Sequence, residues 1–186
     1  MNLIGKVSIF MTTAALLGGC ATMTKEQCLE ANASSWEHIG YVDGGDGYDP
    51  DGRLDLHRDA CKEVRVFPDR NSYMVGWRKG LVNYCTPEKA YEVGRNGYGG
   101  NSHLCPPEMR ALFEDNVDLG RRVYNLRMEL NSLESEINGY ENRLSDKKLS
   151  NEARRDLHAK IRNRDRELSH LRMLLREAET EPLIRF

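Results

Sequence analysis

The sequence predicts a mainly α protein: a small disulfide-stapled helical module followed by a long antiparallel coiled-coil hairpin. Three observations lead there. Leu119, Val123, Leu126, Leu130, Leu133, Ile137, Tyr140 and Leu144 alternate spacings of four and three, a heptad seam. A second seam runs through Leu157, Ile161, Arg164, Leu168, Leu171 and Leu175. Cys28, Cys61, Cys85 and Cys105 all precede both seams, amid repeated helix-start signals and most of the glycines.

The N-terminal stretch is read first as an address. One charge, Lys6, precedes an apolar run from Val7 to Leu17, and Gly18-Gly19 supply small residues before Cys20. These are the proportions of a secretory signal. The run is too short and too interrupted by Ser8, Thr12 and Thr13 for a spanning helix, which needs about 20 apolar residues. Leu16-Leu17-Gly18-Gly19-Cys20 reads as a lipobox, with residues 1–19 as a lipoprotein signal peptide and Cys20 as the lipidated residue. More than one acyl chain is what makes such an anchor durable. Ala21, in place of Asp, favours delivery to the outer membrane, with the body facing the periplasm.

From Cys20 on, 26 basic residues face 29 acidic ones. That leaves no basic surplus for nucleic acid, so no nucleic-acid partner is expected. Four cysteines in an oxidising compartment read as two bridges. They allow three connectivities; Cys28 with Cys61 and Cys85 with Cys105 is the pairing that ties each helix to the segment after it. Composition changes at Cys105 and divides the chain into a cysteine-bearing helical module at 20–105, a coiled-coil hairpin at 106–180 and an apolar tail at 181–186.

Within the module, Thr24-Lys-Glu-Gln27 has the form of a capping box, starting a helix expected to run through Leu29 and Trp36 towards Gly40. Leu54 to Val64 has helical spacing. Asp69 can cap a helix through Tyr73, Trp77 and Leu81, and Thr86-Pro87-Glu88 supplies a cap, a proline at the first position and an acid at the positive end. An echo recurs in Trp36-x3-Gly40-x3-Gly44, Tyr73-x2-Gly76-x3-Gly80 and Tyr91-x2-Gly94-x2-Gly97. Glycine disfavours a helix interior by about 1 kcal/mol relative to alanine, so these sites mark close backbone packing or helix ends.

The most acidic stretch, Asp43 to Gly52, places carboxylates at alternate positions before a glycine. Set on a calcium-binding loop, Asp49, Asp51 and Asp55 fit, but the position of the bidentate acid is Arg58. A solvated turn is the main reading and calcium on those three carboxylates the alternative. His57-x3-Cys61 shares a helical face and His38 and His103 lie elsewhere in the module, yet cysteines in this compartment oxidise more readily than they hold zinc. No nucleophile elbow, zinc-protease motif or phosphate loop occurs, so neither a catalytic residue nor a cofactor is assigned.

The ordered set Cys28, Trp36-x3-Gly40-Tyr41-x-Asp43-Gly44, His57-x3-Cys61, Pro68-Asp69-x3-Tyr73-x2-Gly76-x3-Gly80, Tyr84-Cys85-Thr86, Tyr91-x2-Gly94-Arg95-x-Gly97 and Cys105-Pro106 resembles a family of small proteobacterial lipoproteins. That family is catalogued only as a domain of unknown function. The resemblance covers about Cys28 to Leu144 and implies an envelope location, with no activity attached.

Beyond Cys105, an unbroken first seam would put Lys147, Asn151, Arg154 and His158 in a core, so the chain is expected to fold back about Lys147. Ser150 can then cap the returning helix. Arg164, opposite Leu130, is the flaw in the seam, and is expected either to snorkel out of it or to mark where a third helix or a partner docks. Pairing of both helices with a second copy is the rival to the hairpin, and short connections favour the hairpin. The tail Leu183-Ile-Arg-Phe186 would return beside Leu112. Together these features predict a non-catalytic envelope lipoprotein whose coiled coil contacts a periplasmic protein or a second copy. Binding of calcium or a small ligand through residues 43–55 is the alternative.

Overall fold

The computed structural model describes residues 23–185. The expected signal segment at 1–19, Cys20 and Phe186 lie outside the described residues. Among those described there is no strand, and no helix is long and apolar enough to cross a membrane.

Seven α-helices follow one another among the described residues: α1 (Lys25–Glu30), α2 (Ala33–Gly45), α3 (Pro50–Cys61), α4 (Arg70–Tyr84), α5 (Pro87–Arg95), α6 (Pro107–Leu144) and α7 (Asn151–Thr180). Single 3-10 turns follow Cys61, at Lys62–Val64, and precede Cys105, at Ser102–Leu104. Local chemistry accounts for most boundaries. Thr24 and Gln27 close the expected capping box. Asp69 accepts from the amides of Asn71 and Ser72, and Thr86 from that of Lys89.

Two boundaries differ from expectation. The first helix does not run on to Gly40. It ends at Glu30, and the side chain of Asn32 caps a new helix by accepting from the Ser35 amide. The helix expected from Leu54 begins earlier, at Pro50, because Asp49 caps it through the Gly52 amide and Pro50 suits the first position.

The module consists of two helix pairs, each drawn together by glycines. In the first, α2 lies against α4 so closely that a β-carbon at Gly40 would sit 2.0 Å from the Tyr73 carbonyl oxygen, and one at Gly80 would sit 2.0 Å from that of Tyr41. In the second, a β-carbon at Gly94 of α5 would lie 1.9 Å from the Val117 oxygen, and one at Gly120 of α6 2.1 Å from that of Tyr91. The glycine echo therefore marks backbone-to-backbone contact, with Gly120 as a member the spacing did not reveal. Gly97 departs from the pattern: its φ of +84° ends α5 above the Tyr124 ring.

Each pair has its own core and its own bridge. Trp36, Leu54, Tyr73 and Trp77 surround Cys28–Cys61; Tyr84, Ala90, Phe113 and Val117 surround Cys85–Cys105. At sequence separations of 33 and 20, each bridge is worth roughly 3 to 4 kcal/mol in the chain-entropy account.

Helix α6 leaves the second core without a break and continues to Leu144, where the chain turns through Ser145–Ser150 and returns as α7. Ser150 caps α7 through the Ala153 amide, as expected. Leu130, Leu133 and Ile137 share a core with Leu168 and Leu171. The flanking ion pairs show the antiparallel sense: Arg122–Glu181, Arg127–Glu179, Glu134–Arg172 and Glu136–Arg164 climb α6 while descending α7. Arg164 thus leaves the seam for the surface, where it meets Glu136 and Glu167. The tail returns as expected and is fastened by the fully buried Asn116. Its carboxamide accepts from the Ile184 amide at 3.0 Å and donates to the Ile184 oxygen at 2.9 Å.

Candidate functional site: a closed polar hub and an open cleft

The acidic stretch does not gather into one site. Asp49 caps α3, Asp51 pairs with Arg70 across the start of α4, and Asp55 pairs with Arg58 one turn on. Among the described residues no three acidic, histidine or cysteine side chains converge on a point where a metal could sit. Cys61, the partner of His57 in the zinc spacing, is bound in the bridge to Cys28.

What the structure assembles instead is a hub around Asp43, a residue of the same stretch. Its carboxylate lies on α2, 3% exposed, and takes hydrogen bonds from two other helices. Arg53 Nε of α3 donates to Oδ1 at 3.1 Å. Oδ2 accepts from His57 Nε2 of α3 at 2.7 Å and from the Tyr73 hydroxyl of α4 at 3.1 Å. A carboxylate accepts only, so the His57 ring places a hydrogen on Nε2. Its Nδ1, also buried, has no partner among the described residues. Trp36 and Tyr73 approach the imidazole edge-on, each with centroids 6.0 Å away. Burial, together with the charge of Asp43 beside it, pushes the Tyr73 phenol well above its ordinary value of 10.0. Tyr73 therefore stays a neutral donor.

The trio resembles an acid–base relay in its pairings but not in its placement. His57 is 1% exposed and Tyr73 is fully buried, so neither faces solvent. The arrangement locks α2, α3 and α4 by satisfying one buried charge three times. Arg53 extends the hub outward, its guanidinium 4.3 Å above the centre of the Tyr48 ring.

Tyr48 also stands on the rim of a cleft of about 650 Å³ between the two helix pairs. Gly47, at φ +74°, turns the chain here, and the Tyr84 ring fills the space its β-carbon would need. Asn101 spans the floor: its amide donates to the Tyr84 hydroxyl at 2.7 Å, and its carboxamide donates to the Gly47 oxygen at 2.7 Å. The walls come from Asp46 just past α2, from Lys89 and Glu92 of α5, from Asn96 just past its end, and from Tyr98. Lys89 and Glu92 form a loose pair at 3.6 Å. The side chains of Asp46, Asn96 and Tyr98 make no hydrogen bond to other described residues.

Asp43, His57 and Tyr73 were each conspicuous in the sequence, as an acid, a zinc-spaced histidine and a glycine-flanked aromatic. Their meeting was not, although the four-residue spacing of Arg53 and His57 does put both on one face of α3. Asn101 and Asn116 carried no signal, since an isolated asparagine has no period and no motif.

Residues 35–122 match the model of a family described as "Protein of unknown function (DUF2799)". The match starts in α2 and ends just past Gly120, so it takes in both glycine-joined pairs and leaves most of the hairpin outside. No curated protein and no solved structure matches the chain.

Proposed function

From a chain that carries this domain of unknown function, we infer a non-catalytic lipoprotein of the cell envelope that acts as an interaction or spacer module. Acyl chains on Cys20 hold it at the outer membrane, the body faces the periplasm, and the hairpin is the surface that spaces or meets a periplasmic partner. The observation that carries the reading is the continuity of α6. One helix of 38 residues begins in the core around Cys85–Cys105 and ends at the tip of the hairpin, so the arm is rigidly joined to the module. The burial of Asp43, His57 and Tyr73 gives the module a brace where a hydrolase would need an accessible base.

Two measurements test this. Radiolabelled palmitate fed to cells is expected to label the wild-type chain and not the Cys20→Ser variant; equal labelling, or none, removes the anchor. For the arm, a photo-crosslinking residue is placed at Met128 or Met173, which are 51% and 41% exposed on α6 and α7. Both are expected to yield the same crosslinked species, with the control at Lys62 yielding none. An arm that crosslinks to nothing, or to the same species as Lys62, sinks the interaction reading.

A further inference from the structure

The cleft between the helix pairs has the makings of a preformed binding site, and its volume lies within the roughly 300 to 1,000 Å³ of small-ligand sites. Its shape does not depend on a ligand. The two hydrogen bonds of Asn101 already tie the 98–101 loop to Tyr84 and to Gly47, residues 17 and 54 positions away. The glycine-joined helices behind those residues leave little room to shift.

The lining excludes several ligand classes. Two acids, Asp46 and Glu92, face one lysine, so a phosphorylated or otherwise anionic ligand finds no cluster of cations. The cleft is open to solvent and carries the charged side chains of Asp46, Lys89 and Glu92, which disfavours a lipid chain, and a sheet edge that could add a peptide strand is absent among the described residues. What remains free is an aromatic face, a carboxylate and a carboxamide. Tyr98 is 68% exposed, and the hydroxyls of Tyr48 and Tyr98 have no partner among the described residues. The negative face of such a ring receives the C–H face of a sugar. Asp46 can accept from an N–H or hydroxyl, while Asn96 can accept from one group and donate to a carbonyl.

We propose that this cleft binds a short oligosaccharide carrying acetamido groups, stacked on Tyr98 and held by Asp46 and Asn96. The site is independent of the arm and of how the chain is anchored.

The test is saturation-transfer NMR and calorimetric titration of the full chain with N-acetylated chitotetraose, maltotetraose and a neutral tetrapeptide. Saturable binding of chitotetraose is expected, with its acetamido methyls receiving the strongest transfer. Tyr98→Ala is expected to weaken it by about tenfold, the scale of one lost aromatic contact. Asn96→Ala should weaken it several-fold. Both side chains are exposed and lack partners, so the melting temperature of either variant should match that of the wild type. The proposal is overturned if chitotetraose gives no transfer at about 10 mM. It is equally overturned if maltotetraose or the tetrapeptide binds as well, or if both variants bind like the wild type.

Discussion

Gly76 of α4 faces the main chain of Glu37 on α2 with no room between them: a β-carbon on Gly76 would lie 1.7 Å from the Glu37 carbonyl oxygen. The obstacle is backbone, which cannot rotate aside. Gly76→Ala is therefore expected to cost several kcal/mol or to prevent folding, far beyond the gain of about 1 kcal/mol that alanine offers a helix. Gly139, in the hairpin part of α6, has nothing within 4 Å. Gly139→Ala is expected to raise the melting temperature by about 2 to 4 °C. Thermal denaturation of the two variants side by side decides whether the module's glycines are sites of contact.

Asp43 accepts from Arg53, His57 and Tyr73 at once. Asp43→Ala strands three buried or half-buried donors and should cost about 3 to 5 kcal/mol. Tyr73→Phe removes one donor and leaves the carboxylate two, at about 1 kcal/mol. Urea denaturation of both variants should show that order; equal costs would mean that Asp43 is held by packing alone.

Alkaline pH should unfold the protein through its buried tyrosines. Tyr73 has its phenol raised by burial and by Asp43, Tyr84 by burial, so each keeps its proton in the folded chain at a pH where the unfolded chain has lost it. The contribution is present in full below the ordinary value of 10.0 and falls away as pH rises above it. Absorbance of phenolate near 295 nm should rise for these two residues only in step with loss of helical circular dichroism. A smooth titration of all eight tyrosines ahead of unfolding would contradict the burial.

Asn116 fastens the tail, and its loss should free the tail without loosening the arm. In Asn116→Ala the Ile184 amide has lost its acceptor. Its hydrogen exchange is expected to accelerate to the rate of an open chain, while amides around Leu133 and Leu168 keep their protection. Unchanged exchange at Ile184 would show that Arg185–Glu88 alone suffices.

Much of this architecture was legible in the sequence. Heptad spacing gave the hairpin, because a repeated apolar seam has a single economical partner nearby, and caps gave most helix starts, because side-chain oxygens satisfy amides locally. The break between α1 and α2 has no such signal: a helical pattern continues through Ala31, and only the Asn32 side chain, accepting from the Ser35 amide, interrupts it. Arg164 breaks the apolar seam in the sequence, and of the two readings open to it, snorkelling is the one the structure shows: its long side chain leaves the seam for Glu136 and Glu167. The hub and the cleft were illegible for a common reason. Both are made of residues far apart in the chain, brought together by glycine contacts that fix how close the helices come, and closeness has no period.

The unbroken course of α6 has a mechanical side. Its stretch from Pro107 to Gly120 is about 21 Å of footing on α5, and the stretch beyond it is about 36 Å of beam. A sideways push at the tip is thus a torque on the footing, multiplied by leverage of roughly 1.7. The first covalent bolt it meets is Cys85–Cys105, one residue before the pair of prolines that leads into the helix. Cutting that bolt by reduction would leave the beam intact and its hinge loose.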